Sequence, residues 1–212
     1  MPPQCSGPAI RNWRWADVEG SSSFSGVTSG TYRVVGTYGD GRFTLTEKPT
    51  VATFPPAVSV GTTPGCPEPS GGWPTASVTF AQYQQFVAAA QSPSDFAGLW
   101  VHQLGPVANP GKDIYTLAYT GDIATHEAAL RAIWPGPLCV VEHSRSLAQL
   151  QAVEAAVTSD PRGLVLISSA ADQVRNVVTI EAILATRADQ QKLDRRFGSG
   201  IVQITSWLQP VG

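Results

Sequence analysis

The chain has 212 residues, 42% of them hydrophobic and 14% charged, with a formal net charge of -2. This is the composition of a globular protein, not of a disordered one. The arginines are scattered apart from the pair Arg195 and Arg196, so no basic stripe exists to neutralise a phosphate backbone and nucleic acid is not an expected partner. No apolar run approaches the roughly 20 residues that span a bilayer, so no membrane span is expected.

The opening stretch "MPPQCSGPAIRNW" lacks the apolar core of a signal peptide. A natural start at Met1 implies a cytoplasmic chain; an export signal removed ahead of it implies an extracytoplasmic one. Residues 1–48 read as a small β-rich domain. "IRNWRWADV" places Trp13 and Trp15 on one face of a strand, two residues apart. "GTYRVVGTY" and "RFTLTE" alternate so that Tyr32, Val34, Phe43 and Leu45 share a face. Between them Asp40-Gly41 supplies the positive backbone angles of a tight hairpin turn. The expectation is a small antiparallel sheet or partial barrel of OB-like closure.

Residues 49–78 are dense in proline and glycine and predict a connector without helix or central strand, packed on the surface through Phe54, Val58 and Trp73. Cys5 in "PQCSGP" and Cys66 in "PGCPEP" flank the first region. A bond between them would close a loop of about 60 residues and add roughly 4 kcal/mol by the chain-entropy argument; two unrelated thiols are the alternative. Cys139 in "LCVV" reads as a small buried hydrophobe. With no CxxC pair, no thiolate zinc site is expected.

From residue 79 onward the signals change to helix, strand, strand, helix, strand. "TFAQYQQFVAAAQ" carries Phe80, Tyr83, Val87 and Ala90 on one stripe with Thr79 as N-cap. Strands "GLWVHQL" and "DIYTLAYT" follow, joined by "GPVANPGK". A helix over 123–133 then turns Ala129, Leu130 and Ile133 inward, and a strand "LCVVEH" closes residues 79–143. Residues 144–212 repeat the order. A helix capped by Ser146 carries Leu147, Leu150, Val153 and Val157; strands "GLVLISSA" and "VVTIEAILA", a helix "RADQQKLDRRF" and a strand "GIVQITSWL" come after it. Gly98-Leu99 matches Gly163-Leu164, Leu130 matches Leu193, and Trp134 matches Phe197. The fold class is therefore α+β: an N-terminal β domain followed by two tandem αββαβ units, each with a three-stranded sheet. Two copies of about 65 residues are too few and too long for a solenoid.

The stretches "DFAGLWVHQL", "IYTLAYTGDIATHEAALRAI", "CVVEHSRSLAQLQAVEAAV" and "GLVLISSAADQVRNVVTIEAIL" resemble the propeptides of bacterial chymotrypsin-like serine proteases of the α-lytic protease and streptogrisin type. The shared features are an "F-A-G-x-W" opening and a link carried here by Val141, Ser144 and Leu147 to Leu150. The resemblance spans about residues 79 to 208, and it implies tandem units that bind a secreted protease. The chain has no His, Asp, Ser order with a "GDSGG"-like segment of its own. "CSGP" and "GVTSGTYRVVGTYGDG" resemble a group of actinobacterial proteins, a likeness that implies no activity.

No chemistry is expected of the polar residues. His102 lies in a strand facing opposite to Val101, His126 follows Asp122 by four residues in a first helical turn, and Cys139 with His143 or His126 is the one Cys/His pair to weigh. Asp17, Glu19, Asp40 and Glu47 fall on the N-terminal sheet as a solvated face. The glycines of "GTYGDG" and "GVTSG" neither open a helix nor precede Lys-Ser, so they cradle no phosphate. The functional expectation is a non-enzymatic protein-binding module, inhibitor-like or chaperone-like towards a secreted serine protease, with no cofactor and no metal. Its partner-binding surface would be a face of the second unit and the tail Trp207, Leu208, Gln209, Pro210 and Val211, where a strand edge or extended tail pairs with another chain. A structural or assembly component, or an enzyme with an unrecognised site, are the alternatives.

Overall fold

The computed structural model describes residues 7–53 and 63–211. The chain divides into two compact units, one of residues 1–59 with 208–212, the other of residues 60–207.

The smaller unit is built from short strands: β1 (Ala9–Arg11), β2 (Ser22–Phe24), β3 (Val27–Ser29), β4 (Tyr32–Arg33), β5 (Gly36–Gly39), β6 (Arg42–Leu45) and β7 (Thr50–Val51). β6 lies between β1, to which it is parallel, and β5, to which it is antiparallel. β2 pairs with β3 and β4 with β7. The expected hairpin is β5–β6, with Asp40 (φ 49) and Gly41 (φ 70) at its turn. Phe43 and Leu45 are buried on one face. Among the described residues no barrel closes; one three-stranded sheet and two separate pairs form instead. The strand expected through Trp13 and Trp15 is also corrected: Asn12 takes a positive φ and Trp15–Asp17 is a single 3-10 turn. The two indoles nevertheless meet, edge to face at 5.1 Å. Attraction between rings holds them together without the pleat that was expected to do it.

In the larger unit the order is α1 (Phe80–Gln91), β8 (Phe96–His102), β9 (Ile114–Tyr119), α2 (Ile123–Arg131), β10 (Leu138–Glu142), α3 (Leu147–Ser159), β11 (Leu166–Asp172), β12 (Val177–Ala182), α4 (Arg187–Phe197) and β13 (Val202–Ser206). The helices begin where local chemistry says they should. Thr79, Ser146 and Thr186 each accept from the backbone three residues on, and Gln82, Gln149 and Asp189 return the bond, three reciprocal capping boxes. β9 is the centre of one sheet, antiparallel to β8 and parallel to β10; β12 is the centre of another, antiparallel to β11 and parallel to β13.

Each sheet is covered by helices on one face. Under the first lie Phe86, Ala90, Tyr115, Leu117, Tyr119, Leu130 and Trp134, with Tyr83, Val87 and Leu147 against them. Under the second lie Leu150, Val157, Val178, Ile180, Leu193 and Val202, with Val153 and Phe197 packed on. Helix α3 therefore gives Leu147 to the first core and Leu150 and Val157 to the second. Two expected inward residues face solvent: Phe80 is 72% exposed and Ala129 is exposed. Phe86, six residues further along the helix, is the buried phenylalanine of α1 instead. The match of Gly98 with Gly163 also fails. Gly98 stands in β8 opposite Ala118, whereas Gly163 is a turn residue with φ 88 ahead of β11.

The connector is not featureless. Residues 63–66 lie across the other face of the first sheet: the Trp100 indole donates to the carbonyl of Thr63, and the Gly65 N–H donates to the Thr116 hydroxyl. Cys66 is there joined to Cys139, with Cα atoms 5.7 Å apart. This corrects the pairing of Cys66 with Cys5. Cys139 is buried, as its apolar run suggests, but strand alternation turns it away from the helix-covered side chains of Leu138 and Val140, towards the connector. Cys5, Phe54 and Val58 lie outside the described residues.

Candidate functional site

The helix-free faces of the two sheets differ sharply. Strand register sets Trp100, Thr116, Ala118, Cys139 and Val141 on that face of the first sheet, beneath residues 63–66. On the second sheet the corresponding positions are Ser168, Ala170 and Asp172 in β11, Thr179 and Glu181 in β12, and Gln203 and Thr205 in β13. Ser168, Ala170, Gln203 and Thr205 are exposed. Short polar contacts run across this face: Ser168 Oγ lies 2.9 Å from Glu181 Oε2, and the Arg175 guanidinium reaches Gln203 Oε1 at 3.0 Å. It is a flat, polar, open surface, the form in which antiparallel pairs meet water or a partner.

Sheet edges next to it are finished by side chains. On the outer edge of β13, Gln190 of α4 donates to the Val202 carbonyl at 2.8 Å and accepts from the Ile204 N–H at 3.1 Å, occupying both groups as a neighbouring strand would. Arg131 does the same for the Leu138 carbonyl on β10, and the Gln173 side chain accepts from the Leu99 N–H on β8. Gln190 thereby occupies two of the main-chain groups that β13, beside the tail, turns outward.

The tail is divided between the units. Trp207 ends the larger one: its N–H donates to the Ala182 carbonyl at 2.9 Å, one rung beyond β13, and its side chain is 51% exposed. Leu208, Gln209, Pro210 and Val211 belong to the smaller one, with Leu208 half-buried and the rest exposed.

The histidines are separate from one another in role. His126 Nε2 meets Asp95 Oδ2 at 2.8 Å, and its ring stacks on Tyr119 at 3.9 Å. Tyr119 in turn donates to the Ala90 carbonyl; burial, with the Asp95 charge adding, pushes its phenol up to about 12. The constellation ties α1, α2 and β9 together through an acid, a base and a phenol. His102 faces the side of β8 opposite to Val101, as expected. Among the described residues no group of three His, Cys, Asp or Glu side chains is placed to hold a metal. Asp17, Glu19 and Glu47 line one open cleft of about 600 Å³ in the smaller unit together with Arg14 and Lys48, while Asp40 sits at the hairpin turn outside it.

His143 is the perturbed base. Its Nε2 is buried without a hydrogen-bond partner, its ring lies 5.8 Å from Trp100, and burial pushes its pKa below the ordinary range, partly offset by a hydrogen bond with the Gln173 backbone. The folded state therefore prefers neutral His143. That preference contributes its full stability above the unfolded pKa of about 6.5 and is lost as pH falls through the lower folded value. Urea midpoints measured from pH 7 to pH 5 should decline, and His143→Gln should flatten the decline; identical slopes in the two proteins would refute the assignment.

Two buried polar residues carry organisation that pattern reading missed. Asn176, at φ 54 and 5% exposed, accepts from Ser144 Oγ and the Arg145 N–H and donates to the Arg145 carbonyl, clamping the β11–β12 turn to the link before α3. Asp113, 2% exposed, accepts from the N–H groups of Leu104 and Asn109 and so orders the long β8–β9 loop. The detectable signal was an Asn or Asp directly before a strand, where a side-chain turn forms. No helix among the described residues is long and apolar enough to cross a membrane. Compared with protein-family models and with curated protein sequences, the chain matches none.

Proposed function

We propose that the chain is a protein-binding module that acts by docking and not by catalysis, and that residues 79–207 are two copies of one αββαβ unit put to different uses. Support for duplication comes from register: both sheets have the same strand order and the same sense at each pairing, and Leu130 with Leu193, and Trp134 with Phe197, occupy matching places beneath them. The observation that carries the binding role is the contrast between the faces. The first copy has its helix-free face closed by the cross-linked connector; the second leaves Ser168, Ala170, Thr179, Glu181, Gln203 and Thr205 open. Together with the resemblance to protease propeptides, this favours a secreted serine protease as the partner, met by the open face with Trp207 at its border.

The test is titration of the full chain against a panel of secreted trypsin-like and chymotrypsin-like proteases. Stoichiometric loss of activity of at least one is expected. Ala170→Arg, on the open face, should weaken that inhibition by about tenfold or more without lowering the melting temperature. Full activity of every protease under excess chain would end the proposal.

A further inference from the structure

In the smaller unit, Ile10, Trp13, Trp15, Gly30, Tyr32 and Val34 line a groove of about 450 Å³. Its walls are three aromatic rings set edge to face: Trp13 on Trp15 at 5.1 Å, Trp13 on Tyr32 at 5.1 Å, and Trp15 on Tyr32 at 6.2 Å. Ile10 and Trp15 are each about two-fifths exposed. Gly30 is required for this shape, since a Cβ there would fall within 2.5 to 2.9 Å of the Tyr32 ring and its hydroxyl.

Two atoms in this cluster, Trp13 Nε1 and Tyr32 Oη, are buried without a hydrogen-bond partner. The indole N–H can only donate, and the phenol donates readily. Leaving buried donors unmet is costly, so an arrangement that tolerates two in one aromatic cluster is relieved by anything that brings acceptors to them. Trp15 lies in the 3-10 turn and is the most exposed of the three rings, so it is the one a ligand displaces with the least loss of packing.

From these features we infer that the groove binds a proline-rich segment in the polyproline II conformation. The donors ask for carbonyl acceptors. A proline-rich strand presents carbonyls free of internal hydrogen bonds, has few N–H groups of its own to satisfy, and lays flat rings against aromatic walls. The lining contains no carboxylate, which a quaternary ammonium would favour, and no side-chain amide or carboxylate acceptors, which a sugar's many hydroxyls would need. This site is independent of the face proposed above to meet a protease.

Calorimetric titration of the full chain with decaproline, and in parallel with a Gly-Ser decapeptide, tetramethylammonium and a cello-oligosaccharide, tests it. Saturable binding of decaproline alone is expected, together with a change in tryptophan emission. Tyr32→Phe, which removes one donor and keeps the ring, should weaken binding by about fivefold; Trp15→Ala should weaken it by about tenfold or more. No saturable binding by about 1 mM decaproline, equal binding of the Gly-Ser peptide, binding of the cation or the sugar in its place, or an unchanged affinity in Tyr32→Phe would each overturn the inference. Should Trp15→Ala lower the melting temperature, the Tyr32→Phe comparison decides by itself.

Discussion

Reduction of the Cys66–Cys139 bridge is expected to remove about 4 kcal/mol of stability. The bond spans 73 residues of sequence, and a cross-link of that length restrains the unfolded chain by about that amount in the entropy treatment. It also holds residues 63–66 over Trp100 and Thr116, so its loss exposes the side of the first sheet that no helix covers. Urea unfolding with and without dithiothreitol reads the effect directly. The midpoint of the native chain should fall on reduction, and that of Cys66→Ala should already be low and insensitive to reductant. A native midpoint indifferent to dithiothreitol would show that the bridge contributes nothing in solution.

Truncation of Trp134 is expected to cost a similar amount. The side chain is 1% exposed, stacks on Phe86 at 4.2 Å and meets Tyr115 edge to face at 5.4 Å, and its indole donates to the Pro137 carbonyl. Removing a fully buried large aromatic takes away its burial and leaves a cavity, together about 3–5 kcal/mol. Trp134→Phe should recover most of this, because the stacking partner remains while only the N–H bond is lost. The comparison of the two variants by thermal unfolding separates packing from hydrogen bonding. Equal losses in both would show that the indole bond, not the volume, matters at this position.

Much of the larger unit was legible because its signals are local. Thr79 and Ser146 cap helices by contacts within three residues, and the stripes of Val87 and Ala90, or Leu150 and Val157, follow from helical geometry alone. The β5–β6 hairpin was readable for the same reason, since Asp40-Gly41 states its turn within two residues. What the residues did not announce depends on pairing across distance. β1 joins β6 in parallel, from more than thirty positions away, which no alternation in "AIR" encodes. Cys139 lies in a run whose hydrophobicity hid the fact that its two faces meet different partners. The Gln190 clasp on β13 and the Asn176 clamp use ordinary surface residue types, whose roles exist only once the chain has brought them beside an unpaired backbone. The candidate binding face was legible as the location of a sheet, and not as an open surface, because openness depended on where the connector chose to lie.

Helix α3 stands with one end in each hydrophobic layer, Leu147 in the earlier and Leu150 with Val157 in the later. Neither layer can dissolve without withdrawing side chains from its neighbour, and the Asn176 amide binds the later turn to the residue just ahead of that helix. Residues 79–207 should consequently melt as one cooperative block, with a calorimetric enthalpy matching the van't Hoff value. A lesion placed in either half would then be felt by the whole, and two sheets with separate cores would be lost in a single step.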